Sequence, residues 1–435
     1  MLNILVVFHN LPYARAYTTI LFDNLLAILK DKTDVHLTWL IYTPDRVPVS
    51  QQEKSNISIL DIHDFRDAVK VIQKVKPDIV YAVPGRSPVE YAFALSSRAF
   101  NIPLVSGELG YRLFGSPKRS TYIKLFIAQF FQSSLPTDTN QRQFMRRGRS
   151  YLNKYLFLIR TQRALKMNKS VITDIFAELK RHFLRTSKIK KVDPKFVCDI
   201  NFIESEKQIE SLVNTGYKRS SLVAVGNPTY DIMFKEVQRF KATIKNSDKI
   251  NLLLVTTNPN DPGGEWTKEK RDLWIKQTVT ELTKYKDEIS LVIKIHPSGE
   301  ILAEYEALIK PIDHNIRVIQ HEDVVRLIEE SDIVLGTSTS TALVCSLIAR
   351  KPNIIWNIFC VEGDVFLKRN LAMECKDLAC LLPLIRQSLV SNPVSEQQVK
   401  EFVDEFLYKS DGCASERIAN VILELVKNKN AKYAS

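Results

Sequence analysis

The chain has little that stabilises small secreted or metal-stapled proteins. Six cysteines occur in 435 residues, with no Cys-x-x-Cys pair and no matching His-x-x-x-His. That pattern excludes a zinc finger and a disulfide framework, and reduced thiols of a cytoplasmic protein are the simplest reading. The longest uncharged run, Ile333 to Ala349, carries six hydroxyl residues and is not a membrane span. The N-terminal stretch Met1-Leu-Asn-Ile-Leu-Val-Val-Phe has no basic n-region and no small-residue cleavage site, so it reads as a strand and not as a signal peptide. Short-period repeats and low-complexity tracts are also missing.

What is present is ordinary in amount and uneven in placement. Hydrophobic residues at 45% and charged residues at 25% fit a soluble globular chain, and the length predicts two or three domains. The net charge is +12. Between Arg112 and Lys191, 19 Lys or Arg stand against the three acids Asp138, Asp174 and Glu178, a net of +16, while the remaining 42 basic and 46 acidic residues give −4. A basic window in a slightly acidic protein predicts one surface facing an anionic partner, where a uniformly basic coat would predict general nucleic-acid binding.

Short apolar runs alternate with helix-length amphipathic stretches, which predicts an α/β fold with parallel sheets covered on both faces. Strands are expected near 2–7, 35–41, 78–83, 102–106, 170–173 and 221–225, with helices near 17–30, 64–75, 88–100, 174–185 and 205–215. A second series places strands near 251–256, 290–295, 315–319, 332–336 and 353–357. Its helices fall near 266–286, 300–310, 322–330 and 341–350, and two more near 396–408 and 415–427 close the chain. The charged stretch 234–251 is the candidate linker. The expected organisation is thus an N-terminal domain over 1–235 with a basic helical insert at about 112–170, a C-terminal domain over 249–395, and closing helices over 396–435. Two Rossmann-like halves facing each other across a cleft would bind ligand at the carboxyl ends of both sets of strands.

Four segments stand at such strand ends. Lys294-Ile-His-Pro-Ser-Gly follows an apolar run, and the proline ends the strand and sets the His296 imidazole at the sheet edge. There it can hydrogen-bond a phosphate or simply cap the strand. Gly336-Thr-Ser-Thr-Ser-Thr-Ala-Leu opens a helix with five hydroxyls, more than an N-cap needs, which favours an anion site. No Gly-x-x-x-x-Gly-Lys precedes it, so ATP hydrolysis is not indicated. Gly107 and Gly110 bracket Glu108, which is either a general base raised by burial or an acid at a helix N-terminus. Gly226-Asn-Pro-Thr-Tyr-Asp forms a turn that either contacts ligand or is only a turn.

Together, Lys76-Pro-Asp through Ser106-Gly-Glu-Leu-Gly-Tyr-Arg, Val225-Gly-Asn-Pro-Thr-Tyr-Asp, Leu252-Leu-Leu-Val-Thr-Thr and Lys294-Ile-His-Pro resemble, in order and spacing, the hydrolysing UDP-N-acetylglucosamine 2-epimerases of the GT-B superfamily. The chain departs from them at Pro84-Gly-Arg-Ser, where they carry His-Gly-Asp-Thr. It departs again at Thr256-Thr-Asn-Pro-Asn-Asp, where they carry Thr-His-Arg-x-Glu-Asn, and nothing after Lys351-Pro-Asn-Ile-Ile-Trp matches their Thr-Glu-Arg-Pro-Glu. The His-Pro turn and the Ser/Thr-rich helix start also resemble the donor-phosphate motifs of bacterial sialyl-, Kdo- and capsule-type GT-B transferases. That resemblance implies a nucleotide-activated sugar held by His296, Thr257, Ser338, Thr339, Ser340 and Thr341. It further implies Glu108 as base toward an acceptor hydroxyl, and Arg86, Asn227, Lys294 and Glu362 lining the cleft. No Asp-x-Asp occurs, so no cofactor and no metal are expected, and His296 with the hydroxyls would offset the leaving-group charge. The expected activity is inverting transfer to a surface-glycan or lipid-linked acceptor. An epimerase-like isomerase and a non-catalytic GT-B binding protein are the alternatives.

The basic window offers two amphipathic helices. Ser120 to Leu135 groups Ile123, Phe126, Ile127, Phe130 and Phe131 beside Lys124. Tyr151 to Met167 sets Leu152, Tyr155, Leu156, Ile159 and Leu165 against Lys154, Arg160, Arg163 and Lys166. Such helices, with Arg146, Arg147 and Arg149 clustered between them, either lie in an anionic membrane interface or pack on the first domain. The first case predicts a cytoplasmic enzyme peripheral on the inner face of the membrane. No nucleic-acid recognition module is visible, so no nucleic-acid partner is expected.

Overall fold

A computed structural model describes residues 1–8, 16–42, 53–54, 57–107, 153–167, 173, 196–242, 248–256, 268–297, 300–337, 340–357, 364–391 and 394–434. The described residues divide into two compact units. The first runs to Thr229 and resumes at Cys413, and the second lies within Tyr230–Gly412.

The first unit is built on β1 (Leu2–Phe8), β2 (Val35–Ile41), β3 (Glu53–Lys54), β4 (Ile57–Asp61), β5 (Ile79–Tyr81), β6 (Leu104–Gly107), β7 (Ile200–Ile203) and β8 (Leu222–Ala224). Their order is β3-β4-β2-β1-β5-β6-β7-β8, parallel except for β3 on β4. The central strand β1 reads Leu-Asn-Ile-Leu-Val-Val-Phe because both of its faces are buried, as a parallel sheet covered by helices requires. Among the described residues this part of the chain carries α1 (Ala16–Lys30), α2 (Ala68–Val75), α3 (Pro88–Ala99), α4 (residues 153–164) and α5 (Glu206–Asn214). Asp67 caps α2 and Ser87 caps α3, whose first residue is Pro88, so the local sequence fixes both starts. One face of the sheet buries Trp39 edge-on to Phe22 at 4.9 Å and to Phe8 at 5.7 Å.

The second unit carries β9 (Ile250–Val255), β10 (Ile289–Lys294), β11 (Arg317–Ile319), β12 (Ile333–Gly336), β13 (Asn353–Trp356) and β14 (Met373–Cys375). The order β11-β10-β9-β12-β13-β14 is all parallel. Numbered within the unit it is 3-2-1-4-5-6, the doubly wound order whose topological switch lies between its first and fourth strands, here β9 and β12. Helices α6 (Asp231–Ala242), α7 (Lys268–Thr283), α8 (Leu302–Ile309), α9 (Val324–Glu330), α10 (Thr341–Ile348), α11 (Val365–Lys368), α12 (Leu381–Val390) and α13 (Glu396–Phe406) complete it. Trp274 stacks on Trp356 at 5.5 Å on one side of the sheet, and Phe366 meets Phe402 at 5.4 Å on the other.

The last helix, α14 (Ala414–Ala434), returns to the first unit. Ile418, Ala419 and Ile422 enter the Trp39 core, and Arg417 Nε donates to the Val225 carbonyl at 2.8 Å.

Three sequence expectations change. The candidate linker 234–251 is helical through Ala242, because Tyr230 and Met233 bury apolar side chains in the second unit's core. The helix expected over Tyr151 to Met167 turns Phe157, Leu158, Thr161 and Gln162 inward, not the face grouped around Leu156, which is 36% exposed. Thr161 Oγ1 accepts from the Ala68 N–H at 3.0 Å, so α4 is tied to the start of α2 and this helix packs on the protein. Strands β3, β4, β7 and β14 were not expected at all. Of the strand expected at 170–173 only Thr173 is described, and it is helical; the helix expected at 174–185 and the Ser120 to Leu135 helix lie outside the described residues. Among the described residues no helix is long and apolar enough to cross a membrane.

Candidate active site

The carboxyl edge of the second sheet gathers two strand ends and a helix around one buried acid. Glu300, 6% exposed, accepts from the Tyr305 hydroxyl on one oxygen. On the other it accepts from the Thr256 hydroxyl and, at 2.5 Å, from the His296 backbone N–H. The same N–H lies 3.0 Å from Thr256 Oγ1. Thr256 ends β9 and His296 follows β10, so one carboxyl group ties two neighbouring strand ends together and sets the His-Pro turn. Tyr305 is held from its far side by the Arg271 guanidinium, 4.7 Å above its ring, and Arg271 pairs with Glu304 at 3.0 Å.

Burial pushes the Glu300 carboxyl above its ordinary value, and the donors Thr256, Tyr305 and the His296 N–H pull it back only in part. A raised folded-state value means that the stability from the neutral acid is complete below the ordinary glutamate value and is lost as pH rises through the raised one. Glu300→Gln is a neutral isostere with one acceptor and one donor. It is therefore expected to flatten this decline in urea midpoint from mildly acid to neutral pH. An unchanged slope in the variant would show that another group sets it.

Beside this turn, β12 ends at Gly336 and α10 begins at Ser340. A Cβ on Gly336 would sit 3.2 Å from Leu343 Cδ1 and 3.3 Å from Val255 Cγ2, so glycine lets the helix start close to the sheet. Ser340 Oγ accepts from the Leu343 N–H at 3.3 Å, the N-cap bond, and Thr341 is the exposed first residue of the helix. Ser340→Ala is expected to cost about 1 kcal/mol, lowering the melting temperature by roughly 2–4 °C. A melt indistinguishable from wild type would remove Ser340 from the capping role.

The remaining expected residues are placed as follows. His296 is half-buried on the turn. Lys294 is buried, and its Nζ donates to the carbonyls of Gln320 at 2.6 Å and Ile295 at 3.4 Å, so its charge is used on the backbone of its own sheet edge. Asn227 donates to Glu204 and accepts from the Thr229 N–H at 3.0 Å, which shapes the turn after β8 with Gly226 at φ +83. Arg86 lies against the Phe8 ring at 4.7 Å, with Nη1 3.7 Å from the carboxylate of the fully buried Glu90. Arg160 and Arg163 are exposed on α4. Glu108, Thr257, Ser338, Thr339, Glu362, Lys124, Arg146, Arg147 and Arg149 lie outside the described residues.

Residue reasoning missed Thr256, Glu300 and Tyr305 in the second unit, and Tyr42 and Glu90 in the first. A signal existed for Glu90, since Ser87-Pro-Val-Glu is a capping-box pattern. Ser87 does cap α3, but the Glu90 side chain turns inward, accepting from the Tyr42 hydroxyl and the Val83 N–H.

Two doubly wound parallel units of this kind define a GT-B protein, the fold class expected from the sequence. Within it, a family model described as UDP-N-acetylglucosamine 2-epimerase matches residues 195–354. The structure is similar to UDP-N-acetylglucosamine 2-epimerase from Rickettsia bellii, with TM-score 0.53 at 13% identity over 99% of this chain and 98% of that one. It is also similar to UDP-GlcNAc 2-epimerase from Neisseria meningitidis bound to UDP-GlcNAc, with TM-score 0.51 at 13% identity over 97% and 99%. The wall teichoic acid polymerase TagF gives TM-score 0.52 at 12% identity over 98% of this chain and 90% of that one. No curated protein matches the sequence.

Proposed function

We propose that the protein is an inverting, metal-independent glycosyltransferase that moves a sugar from a nucleotide-activated donor to a surface-glycan or lipid-linked acceptor at the cytoplasmic face of the membrane. The observation that carries this reading is Arg86. Where the epimerases have the acid of His-Gly-Asp-Thr, this chain has a guanidinium held between Phe8 and Glu90. Epimerisation at a sugar carbon needs groups that give and take a proton, and arginine keeps its proton at any working pH. Transfer makes no such demand at that position.

In this reading the acceptor oxygen attacks the anomeric carbon while the bond from that carbon to the donor phosphate breaks. The acceptor proton goes to Glu108, and the negative charge left on the phosphate falls to His296, Thr257 and the hydroxyls of Ser338 to Thr341. Glu300 takes no part in bond making; it holds the His296 turn in place. The UDP-GlcNAc named in one similar structure makes a UDP-sugar a natural first donor to try.

A second reading, an epimerase-like isomerase, is favoured by the family-model match over 195–354. Incubation with UDP- and CMP-sugars, with and without glycan acceptors, separates the two. Acceptor-dependent nucleotide release that survives EDTA is the expected result. A 2-epimerised sugar formed from UDP-N-acetylglucosamine alone would sink the transferase reading.

A further inference from the structure

The first unit has a cavity of about 230 Å³ beyond the carboxyl ends of β2 and β4, walled on one side by α4. Asn153, Leu156, Phe157 and Arg160 line it from one stripe of that helix, with Lys154 beside them, and Tyr42 and His63 line it from the strand ends. This edge is where doubly wound sheets take their ligands.

The charge in the lining has one sign. Lys154 and Arg160 face the cavity with the His63 ring beside them, and no acid is among the described residues that line it. Two carboxylates stand behind the wall. Asp61 is buried and holds His63 by Nδ1 at 2.6 Å, and Glu90 is fully buried beneath the Tyr42 hydroxyl. The Lys154 ammonium lies 5.3 Å from the centre of the Tyr42 ring. Burial lowers its pKa, with Glu90 behind the ring partly restoring it, so a second anion on the open side is favoured electrostatically.

Size limits the ligand. At about 230 Å³ the cavity falls below the roughly 300–1,000 Å³ of drug-sized sites, a size that suits a single phosphorylated sugar or phosphate headgroup.

We infer that this cavity binds a phosphate group carried by the acceptor, and that α4 of the basic window supplies its cations. In calling the ligand an acceptor the inference rests on the transferase reading; the anion site itself does not. The cations then serve a ligand with a defined pocket as well as any surface attraction.

Calorimetry on the full chain tests it with inorganic phosphate, glucose 6-phosphate and glucose as probes. Both phosphates are expected to bind at low salt and glucose is not. Lys154→Gln and Arg160→Gln are each expected to weaken phosphate binding about tenfold, the size of one charge-assisted hydrogen bond, with UDP affinity unchanged. Arg160 is exposed, so its variant should melt with wild type and its affinity loss cannot be a folding defect. Equal phosphate affinity in wild type and both variants, or equal binding of glucose and glucose 6-phosphate, would overturn the site. Loss of all sugar-nucleotide binding with phosphate binding intact would fell the transferase reading alone. Phosphatidylglycerol and phosphatidylcholine vesicles identify the source. Arg160-dependent binding to the former supports the site with a lipid headgroup as ligand, and binding of soluble phosphates only supports it with a phosphorylated glycan.

Discussion

Glu300→Ala is expected to lose donor turnover by about 10²-fold and to melt roughly 10 °C below wild type. Three donors converge on this carboxyl: the Thr256 and Tyr305 hydroxyls and the His296 backbone N–H. Alanine leaves the Thr256 and Tyr305 hydroxyls without their acceptor and the His296 N–H with Thr256 Oγ1 alone, and each orphaned group costs about 1–3 kcal/mol. They share one partner and do not add, so about 3–4 kcal/mol in total is the expected loss. The turnover loss has a separate origin. His296 is placed by its own backbone bond to Glu300, and a displacement of about 1 Å at a phosphate-contacting group is enough for that factor. Glu300→Gln keeps one acceptor and the side-chain shape, so it should recover most of the stability. Melting curves and a nucleotide-release assay on both variants check the two effects independently. An alanine variant that melts early yet turns over normally would leave Glu300 as a structural residue only.

The sequence carried the sheet positions better than the side-chain network on them. Strands β1, β2, β9, β10, β12 and β13 are mostly apolar runs, fully buried in β12 and β13 and buried along most of β1, β2 and β9, and such runs announce themselves without any partner. The strands that were missed are short or at an edge: β4 alternates buried and half-buried residues between polar flanks, and β7 and β14 have four and three residues. Asn201 interrupts β7 and Glu374 interrupts β14, so neither has the unbroken apolar run that marks the equally short β12 and β13. The stretch after Phe234 looked like a linker because it is charged, yet helix α6 needs only a narrow apolar face, and Tyr230 with Met233 begins it.

The site was legible wherever backbone chemistry made it so. Proline after His296 and a hydroxyl run after Gly336 mark strand ends by rules that hold inside one segment. The group that organises the His-Pro turn is Glu300, and its partners Thr256 and Tyr305 come from the end of β9 and from α8. A carboxyl that is buried and bonded across segments looks, in the sequence, like any glutamate beginning a helix. Lys154 and Arg160 show the same limit. Their charge was plain, but the cavity they line depends on which face of α4 turns inward, and the larger apolar residues Phe157 and Leu158 decided that.

Glu90→Ala is expected to be the most destabilising single change in the first unit, by about 3–5 kcal/mol. Glu90 has no solvent exposure, and its two oxygens serve the Tyr42 hydroxyl and the Val83 N–H, with Arg86 3.7 Å away. Removing it leaves the guanidinium against the Phe8 ring without the carboxylate 3.7 Å away, and a tyrosine hydroxyl that burial already holds far above its ordinary pKa. The cost combines the two donors left without their acceptor with the loss of the charge pair. It follows that Arg86→Met in the Glu90→Ala background should return part of the stability, whereas Arg86→Met alone should cost some, since it strands the carboxylate. Urea unfolding of the four proteins measures this coupling directly. Additive losses would mean that Arg86 and Glu90 do not act as a pair. The same cycle bears on chemistry, because Tyr42 forms a wall of the cavity under Lys154. Phosphate binding should fall in Glu90→Ala and return with the stability in the double variant only if Tyr42 keeps its place without its acceptor.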